Sequence, residues 1–358
     1  MTLQRIELAQ FRSWPRLDLD LDARPLAIFG PNGSGKTNIL EAASMLAPGR
    51  GFRAAPAPEQ ARKGVEAGWR IRAGLQDHLI ETQAAPAQSR VVVIDDKSVP
   101  QTALARLLRV IWLVPAMDRL WTEAPEGRRR YLDRVTLSLM PDHADLALTY
   151  EKAMRERNRL LRDQVSDPGW YRALEARMAE AGAALTRNRL TALERIDAAQ
   201  EGGRDFPAAR LTLLPGEGHA DDTDPASIAD RMAAMRARDM AAGRSLTGPH
   251  RADLGAHWGP EDMPAALSST GEQKALLLSL ILANARALSD QPVLLLLDEV
   301  AAHLDADRRA ALYDRIAAMP AQSLLTGTGP ELFEAFGTRA RALSVTRDGS
   351  RSQAAWTD

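Results

Sequence analysis

The stretch Gly30-Pro31-Asn32-Gly33-Ser34-Gly35-Lys36-Thr37 constrains this chain more than any other feature. It matches the pattern G-x-x-x-x-G-K-[ST]. It follows a short apolar run, Pro25 to Phe29, and precedes helical spacing at Ile39, Leu40, Ala43 and Leu46 that stops at Pro48-Gly49. A strand, a glycine-rich loop and a helix in that order let consecutive backbone N–H groups fold around phosphate oxygens. Within it Lys36 is expected to reach the β- and γ-phosphates of a bound nucleotide and Thr37 to ligate Mg²⁺. The helix that follows aims its positive end at the same anion.

Far along the chain, Val293 to Leu297 forms an apolar strand that runs into Asp298 and Glu299. An acid at the carboxyl end of a central strand lies beside such a loop, so Asp298 is expected to hold Mg²⁺ through water. Glu299 is placed to orient or deprotonate the attacking water. Leu267-Ser-Ser269-Thr270-Gly271-Glu272-Gln273-Lys274 leads into the helix Ala275 to Leu288, and a serine and glycine at a helix start make an anion-binding terminus. Standing shortly before Asp298-Glu299, this segment resembles the signature motif of ABC-type ATPases, with Ala301 to Asp305 in the place of the D-loop. In that class the signature of one subunit closes on the nucleotide of another. One loop and one signature in a single chain therefore imply a homodimer with two shared sites.

The texture between these motifs defines the organisation. Leu3, Ile6 and Leu8, then Leu17, Leu19 and Leu21 against Asp18, Asp20 and Asp22, alternate as paired strands with one wet face. Short strands continue from 65 to 99. From Ala103 the chain turns to Ala, Leu, Arg and Glu, with two or three long helices between Arg128 and Ala199, a polar loop from Gly216 to Pro225 and a helix from Pro225 to Ala242. After Gly243 it regains α/β character. The expected fold class is α/β: an ABC-type ATPase head with a mixed sheet, residues 1–102 and 243–358, interrupted by a mainly helical lobe, 103–242. A length of 358 residues fits two such parts. The absence of cysteine excludes disulfide frameworks, thiolate nucleophiles and cysteine zinc sites. A formal charge of -1 marks no strongly basic class. With no signal-peptide pattern and no apolar run of bilayer length, a cytoplasmic location is expected.

Spacing then discriminates among ATPases. Lys36 and Ser269 are separated by the whole helical block, whereas transporter ATPases keep the two motifs much closer. Chromosome-structural ATPases also split the head, but with a very long coiled coil. The sequence resembles the RecF family of bacterial DNA replication and repair ATPases along essentially its whole length. The resemblance is carried by GPNGSGKTN, LSSTGEQK and LLLLDEVAAHLD, and more specifically by Phe11-Arg12-Ser13, Arg128-Arg-Arg130-Tyr131-Leu132-Asp133 and Thr247-Gly248-Pro249-His250-Arg251. It implies an SMC-like head without a long coiled coil. It also implies ATP and Mg²⁺ as cofactors, Arg12 aiding nucleotide binding, and Ser269, Thr270, Gly271 and Asp305 acting across an ATP-dependent homodimer. The implied activity is slow, DNA-stimulated hydrolysis that switches a clamp on duplex DNA near single-strand gaps, where RecR and RecO help load RecA. The sequence departs from the usual signature in having Thr270-Gly271 for two glycines. It has Thr326 and Thr328 where many ABC ATPases place a sensor histidine after the strand at Ser323 to Leu325, and it shows no evident Gln-loop. Arg128 to Arg130 and the set Arg155, Arg157, Arg159 and Arg162 are candidate DNA contacts, although the latter wraps its helix. The rival readings are a transporter's ATP-binding subunit and an interaction protein that uses ATP only as a structural clamp.

Overall fold

A computed structural model describes residues 2–203, 205–216 and 222–357, and at His303 the backbone alone. In chain order come β1 (Leu3–Phe11), β2 (Trp14–Asp20), β3 (Leu26–Phe29), α1 (Lys36–Ser44), α2 (Ala57–Gln60), β4 (Trp69–Leu75), β5 (His78–Ala84), β6 (Val91–Ile94), β7 (Lys97–Val99), α3 (Leu104–Leu107) and β8 (Arg109–Leu113). There follow α4 (Pro125–Leu139), α5 (His143–Arg162), α6 (Pro168–Ala199), β9 (Ala209–Leu214), α7 (Pro225–Ala234), α8 (Arg236–Ala242), β10 (Asp253–Trp258), β11 (Met263–Pro264) and α9 (Thr270–Arg286). The remaining elements are β12 (Val293–Leu297), α10 (Ala306–Ala318), β13 (Gln322–Gly327), β14 (Arg341–Asp348) and β15 (Arg351–Trp356). These elements form two compact units, Met1–Asp118 with Asn284–Asp358, and Arg119–Ala283.

The first unit holds two six-stranded sheets. One is antiparallel, in the order β2-β1-β4-β5-β6-β7. Its strands alternate as the sequence pattern requires: Ile6, Leu8, Leu17, Leu19, Ile71, Ala73 and Ile80 are buried, and their neighbours face outward. The other, in the order β15-β14-β3-β13-β12-β8, is parallel apart from β15. Its interior strand β12, next to the edge strand β8, is Val-Leu-Leu-Leu-Leu and buried throughout, the composition expected of a parallel strand covered on both faces. Both sheets and α1 contribute to one core containing Leu3, Phe11, Ile39, Leu40, Leu294, Leu296 and Leu324. Gln322 stitches the sheets together from within: its amide donates to the carbonyls of Leu3 at 2.9 Å and Asp22 at 2.7 Å, and its oxygen accepts from Leu3 N–H at 2.8 Å.

The second unit contains the long helices expected between 128 and 199, as α4, α5 and α6. The expected helix from Pro225 to Ala242 breaks at Met235 into α7 and α8. Residues 217–221 of the expected polar loop lie outside the described residues. A three-stranded sheet, β11-β10-β9, joins the helices. The boundaries drawn from composition at 103 and 243 therefore move. Parallel register between β8 and β12 assigns 103–118 to the first unit, and antiparallel pairing of β10 with β9 assigns 243–283 to the second. Composition misplaced both because β8 is a five-residue strand at the start of an otherwise helical texture, and β9 and β10 are short strands separated by two helices.

Arg157 is the hub of the second unit. Fully buried on α5, it donates to Glu175 of α6 at 3.1 Å, to Asp239 of α8 at 2.7 Å, to the Ser245 hydroxyl at 2.8 Å and to the Met232 carbonyl at 3.1 Å. Glu175 is also paired with Arg236. The two segments most specific to the family resemblance meet in this unit. Arg128 forms a fork with Asp253 at 2.7 and 2.8 Å, Arg129 donates to the Ala252 carbonyl at 2.7 Å, and Arg189 joins Asp133 to the Pro249 carbonyl, each at 2.7 Å. His250 is half-buried, and its desolvation pushes its pKa down to about 4. Its Nε2 faces the Ser245 carbonyl and so carries the proton, leaving Nδ1 to accept from the Tyr150 hydroxyl at 2.8 Å.

Candidate nucleotide site

The glycine-rich loop joins β3 to α1 in the first unit. Its glycines are required by space as well as by torsion. Gly30 has φ +148, and a Cβ there would collide with the Val345 carbonyl; Gly35 has φ +111, and a Cβ would meet the hydroxyls of Ser352 and Ser13. Neighbouring elements grip the loop from outside. Trp14 Nε1 donates to the Gly35 carbonyl at 3.2 Å, Ser352 to the Ser34 carbonyl at 2.5 Å, and Arg347 to the Gly33 carbonyl at 2.9 Å. Ser13, after Arg12 in the β1–β2 turn, accepts from Asn38 of α1 at 2.7 Å, and its own hydroxyl donates to that of Ser352 at 2.7 Å.

Lys36 is buried at 3 % exposure and donates to the loop's own carbonyls, Gly30 at 2.7 Å and Pro31 at 3.0 Å. Burial lowers its pKa, while Glu299 and Asp298 act in the opposite direction. The order β3-β13-β12 explains how distant residues converge. The loop leaves the end of β3, Asp298 and Glu299 leave the end of β12, and the end of β13 lies between. Asp298 accepts from Thr37 at 3.0 Å and from Thr326 of β13 at 2.7 Å. The same Thr326 hydroxyl accepts the backbone N–H of Glu299 at 2.9 Å. Glu299 adopts φ 54, ψ 20, a left-handed conformation that costs a non-glycine residue about 1–3 kcal/mol. Its carboxylate takes no hydrogen bond among the described residues. A hydroxyl and a carboxylate oxygen are hard donors that suit Mg²⁺, which draws its other ligands from water and phosphate. The cradle of backbone amides, with Lys36 at its base, suits the phosphates.

The structure thus brings Gly30 to Thr37, Asp298 and Glu299 together. It also brings in residues that the motif reading passed over. Thr326 was visible only as the residue standing in a histidine's place; it is buried, whereas Thr328 is exposed. Glu41, fully buried on α1, accepts from Arg12 at 2.5–3.1 Å and from Arg53 at 2.9 Å, and Arg53 also donates to Asn38 at 3.0 Å. An acid on the apolar face of a short helix is the signal that could have found Arg53 and the partner of Arg12, because a buried carboxylate demands cations. Arg12 is committed to Glu41 and the Glu59 carbonyl, so it stands beside α1 as half of an ion pair rather than as a free cation.

Asp305 caps α10 by accepting from Arg308 N–H at 2.8 Å. In the second unit, Ser269 and Glu272 form a reciprocal capping box at the start of α9: Glu272 accepts from the Ser269 N–H and hydroxyl at 2.8 Å, and Ser269 accepts from Glu272 N–H at 3.4 Å. Ser269, Thr270 and Gly271 are exposed, as is Leu267 at 76 %. Two candidate DNA-contact sets are reduced. Arg128 and Arg129 are engaged inside the second unit and Arg157 is buried, because an arginine fork is the donor that a core of carboxylates and carbonyls selects. Arg130 is exposed, 4.0 Å from Glu126.

Comparison with known proteins identifies the family and the fold. Residues 5–50 match a family model described as an AAA domain. The chain is 44% identical over 381 residues to the DNA replication and repair protein RecF of Caulobacter sp. (strain K31), covering 97% of each. The chain belongs to the RecF family. RecF of Rhizobium meliloti (strain 1021) is likewise 44% identical, with 96% of each chain covered. Among solved structures, the recombination mediator protein RecF with ATP, of the RecFOR pathway, superimposes with TM-score 0.82 at 21% identity over 99% of this chain and 98% of that one. An Smc head domain from Pyrococcus furiosus, with an extended coiled coil and bound to ScpA, gives TM-score 0.57 at 16% identity, over 100% and 96%. The fold is that of RecF and SMC heads, and no coiled coil of SMC length is present among the described residues. No helix among these residues is long and apolar enough to cross a membrane.

Thr326 yields a direct prediction. In a Thr326→Val variant the Glu299 N–H loses its partner and Asp298 keeps only Thr37, a cost of about 1–3 kcal/mol. Hydrolysis is expected to fall roughly 10–100-fold while nucleotide affinity changes by less than about three-fold. Single-turnover rates set against nucleotide Kd check this, and an equal loss in both would assign Thr326 to binding.

Proposed function

We propose that this protein is an ATP-switched DNA clamp of replication and recombinational repair, a homodimer when ATP is bound, with weak hydrolysis as its release step. The observation that carries the reading is the convergence of Thr37, Asp298, Thr326 and Glu299 beside the glycine-rich loop, in a chain that carries one exposed signature-like helix start. In this reading Lys36 and the amides of Gly33 to Thr37 bind the phosphates, and Thr37 and Asp298 hold Mg²⁺. Bound Mg²⁺-ATP supplies a phosphoanhydride whose cleavage is strongly downhill. Glu299 accepts a proton from water at its carboxylate, and Thr326 fixes both acids relative to the loop. Ser269 and the helix start at Thr270-Gly271 are offered to a second copy, so an isolated subunit is incomplete, and Asp305 lies on the segment after Glu299 that faces the same partner.

The clamp acts at single-strand gaps in duplex DNA and, with RecR and RecO, favours placement of RecA there. Near-neutral net charge suits this role, since a charge of -1 provides little ATP-independent attraction for DNA. The test is sedimentation velocity with and without Mg²⁺-ATP, combined with binding to gapped and to fully duplex DNA. A monomer-to-dimer shift that depends on ATP, with retention of gapped DNA that also depends on ATP, is the expected result. A protein that stays monomeric, or hydrolyses ATP briskly with no response to DNA, would overturn the proposal.

A further inference from the structure

Paired residues on adjacent strands share a face, so the outward side of the antiparallel sheet can be read in rows. The row closest to the β1–β2 turn runs Arg16, Ala9, Arg70, Gln83, Val91 across β2, β1, β4, β5 and β6. The next runs Asp18, Glu7, Arg72, Glu81, Val93, and there Arg72 is tied to Glu81 at 2.5 Å. The third carries Asp20, Arg5, Gly74 and Leu79, with Arg5 held by Asp18 at 2.5 Å and Glu7 at 3.2 Å.

The arginines of the second and third rows are neutralised where they stand. Those of the first row are not. Arg16 and Arg70 are exposed, and neither side chain forms a salt bridge or hydrogen bond with any described residue. Asp18 is drawn down by Arg5 first and feels Arg16 only weakly, its oxygens being taken by Arg5. One strand separates the two arginines, which places their Cα atoms about 10 Å apart. Ala9, Arg70, Gln83 and Val91 of this row floor an open groove of about 360 Å³, edged also by the amides of Gln10 and Gln88, and Arg16 stands on β2 outside it. Exposed Lys63 extends the same end, since the Arg62 N–H donates to the Gln10 carbonyl at 2.8 Å.

We propose that this first row is where the chain contacts the backbone of duplex DNA. The inference rests on the DNA-clamp reading and adds the surface. Cations and amides with no ion-pair partner among the described residues match phosphates, and a backbone bearing one charge per about 1.7 Å offers an anion to each arginine at any base sequence. Single strands are held by stacking on aromatic rings, and the outward face of this sheet has no aromatic side chain among the described residues. The rows therefore favour a double helix.

The test is a salt titration of ATP-dependent binding to a gapped duplex by the full-length protein carrying Arg16→Gln and Arg70→Gln together. Two lost phosphate contacts make the slope of log K against log salt shallower by about 1.8, which corresponds to roughly 30-fold weaker binding at 0.15 M salt. Arg72→Gln, one row away, leaves the slope unchanged, and ATP-dependent dimerisation persists in every variant. If the wild type itself fails to retain DNA with ATP, the clamp reading falls. If it binds and the double variant keeps its slope and affinity, this surface assignment alone falls, as it does if the loss appears on single-stranded but not on duplex DNA.

Discussion

Replacing Glu299 by Gln is expected to slow ATP hydrolysis by about 10²–10⁴-fold, the range associated with loss of a positioned general base. Nucleotide affinity should stay within about two-fold, because in the proposed mode the phosphates are held by Lys36 and the loop amides and not by Glu299. The change is nearly isosteric and keeps the backbone N–H that Thr326 holds, so the left-handed turn at Glu299 is retained. A clamp that closes on ATP and opens after hydrolysis should then stay closed, with the ATP-bound dimer and its DNA outlasting the wild type in a chase with excess competitor. Hydrolysis at the wild-type rate would remove Glu299 from the chemistry. Slow hydrolysis without a longer-lived dimer would separate turnover from release and overturn the switch.

The second large effect concerns stability. An Arg157→Met variant loses the buried guanidinium that Glu175 and Asp239 share. Glu175 keeps Arg236, and Asp239 keeps the Leu246 N–H at 3.0 Å, but Asp239, fully buried, loses its only ion pair among the described residues. Removing one partner of a buried pair costs about 3–5 kcal/mol, which for a unit of this size is roughly 10–15 °C in Tm. By comparison, Arg155→Met on the exposed side of the same helix should change stability by less than about 0.5 kcal/mol. Differential scanning calorimetry of the two variants decides the matter. Equal, small shifts would mean that the α5–α6–α8 network is not what holds the second unit together.

Arg155 and Arg157 also show what was legible in the sequence and what was not. The nucleotide loop could be read because backbone geometry leaves few alternatives at Gly30 and Gly35. The acid pair could be read because a strand of five buried apolar residues announces where it ends. The long helices α4 to α6 stood out by period. The arginines did not, since a run such as Arg155-x-Arg157-x-Arg159 gives no sign of which member faces inward until α6 and α8 supply the carboxylates. Thr326 escaped for a related reason. Its partners, Asp298 and Glu299, come from a neighbouring strand, and only parallel register between β12 and β13 sets it between them. Arg12 was expected to serve the nucleotide directly, and its tie to Glu41 depends on a helix face that local pattern alone leaves unassigned.

Ser352 carries a consequence for how the molecule is made. Its hydroxyl reaches the Ser34 carbonyl and Ser13, although more than three hundred residues of chain lie between. A ribosome building this protein produces the glycine-rich loop early and its brace late. Until residue 352 has emerged, the loop lacks one of the groups that fix its carbonyls, so its native bracing is completed only near the end of synthesis.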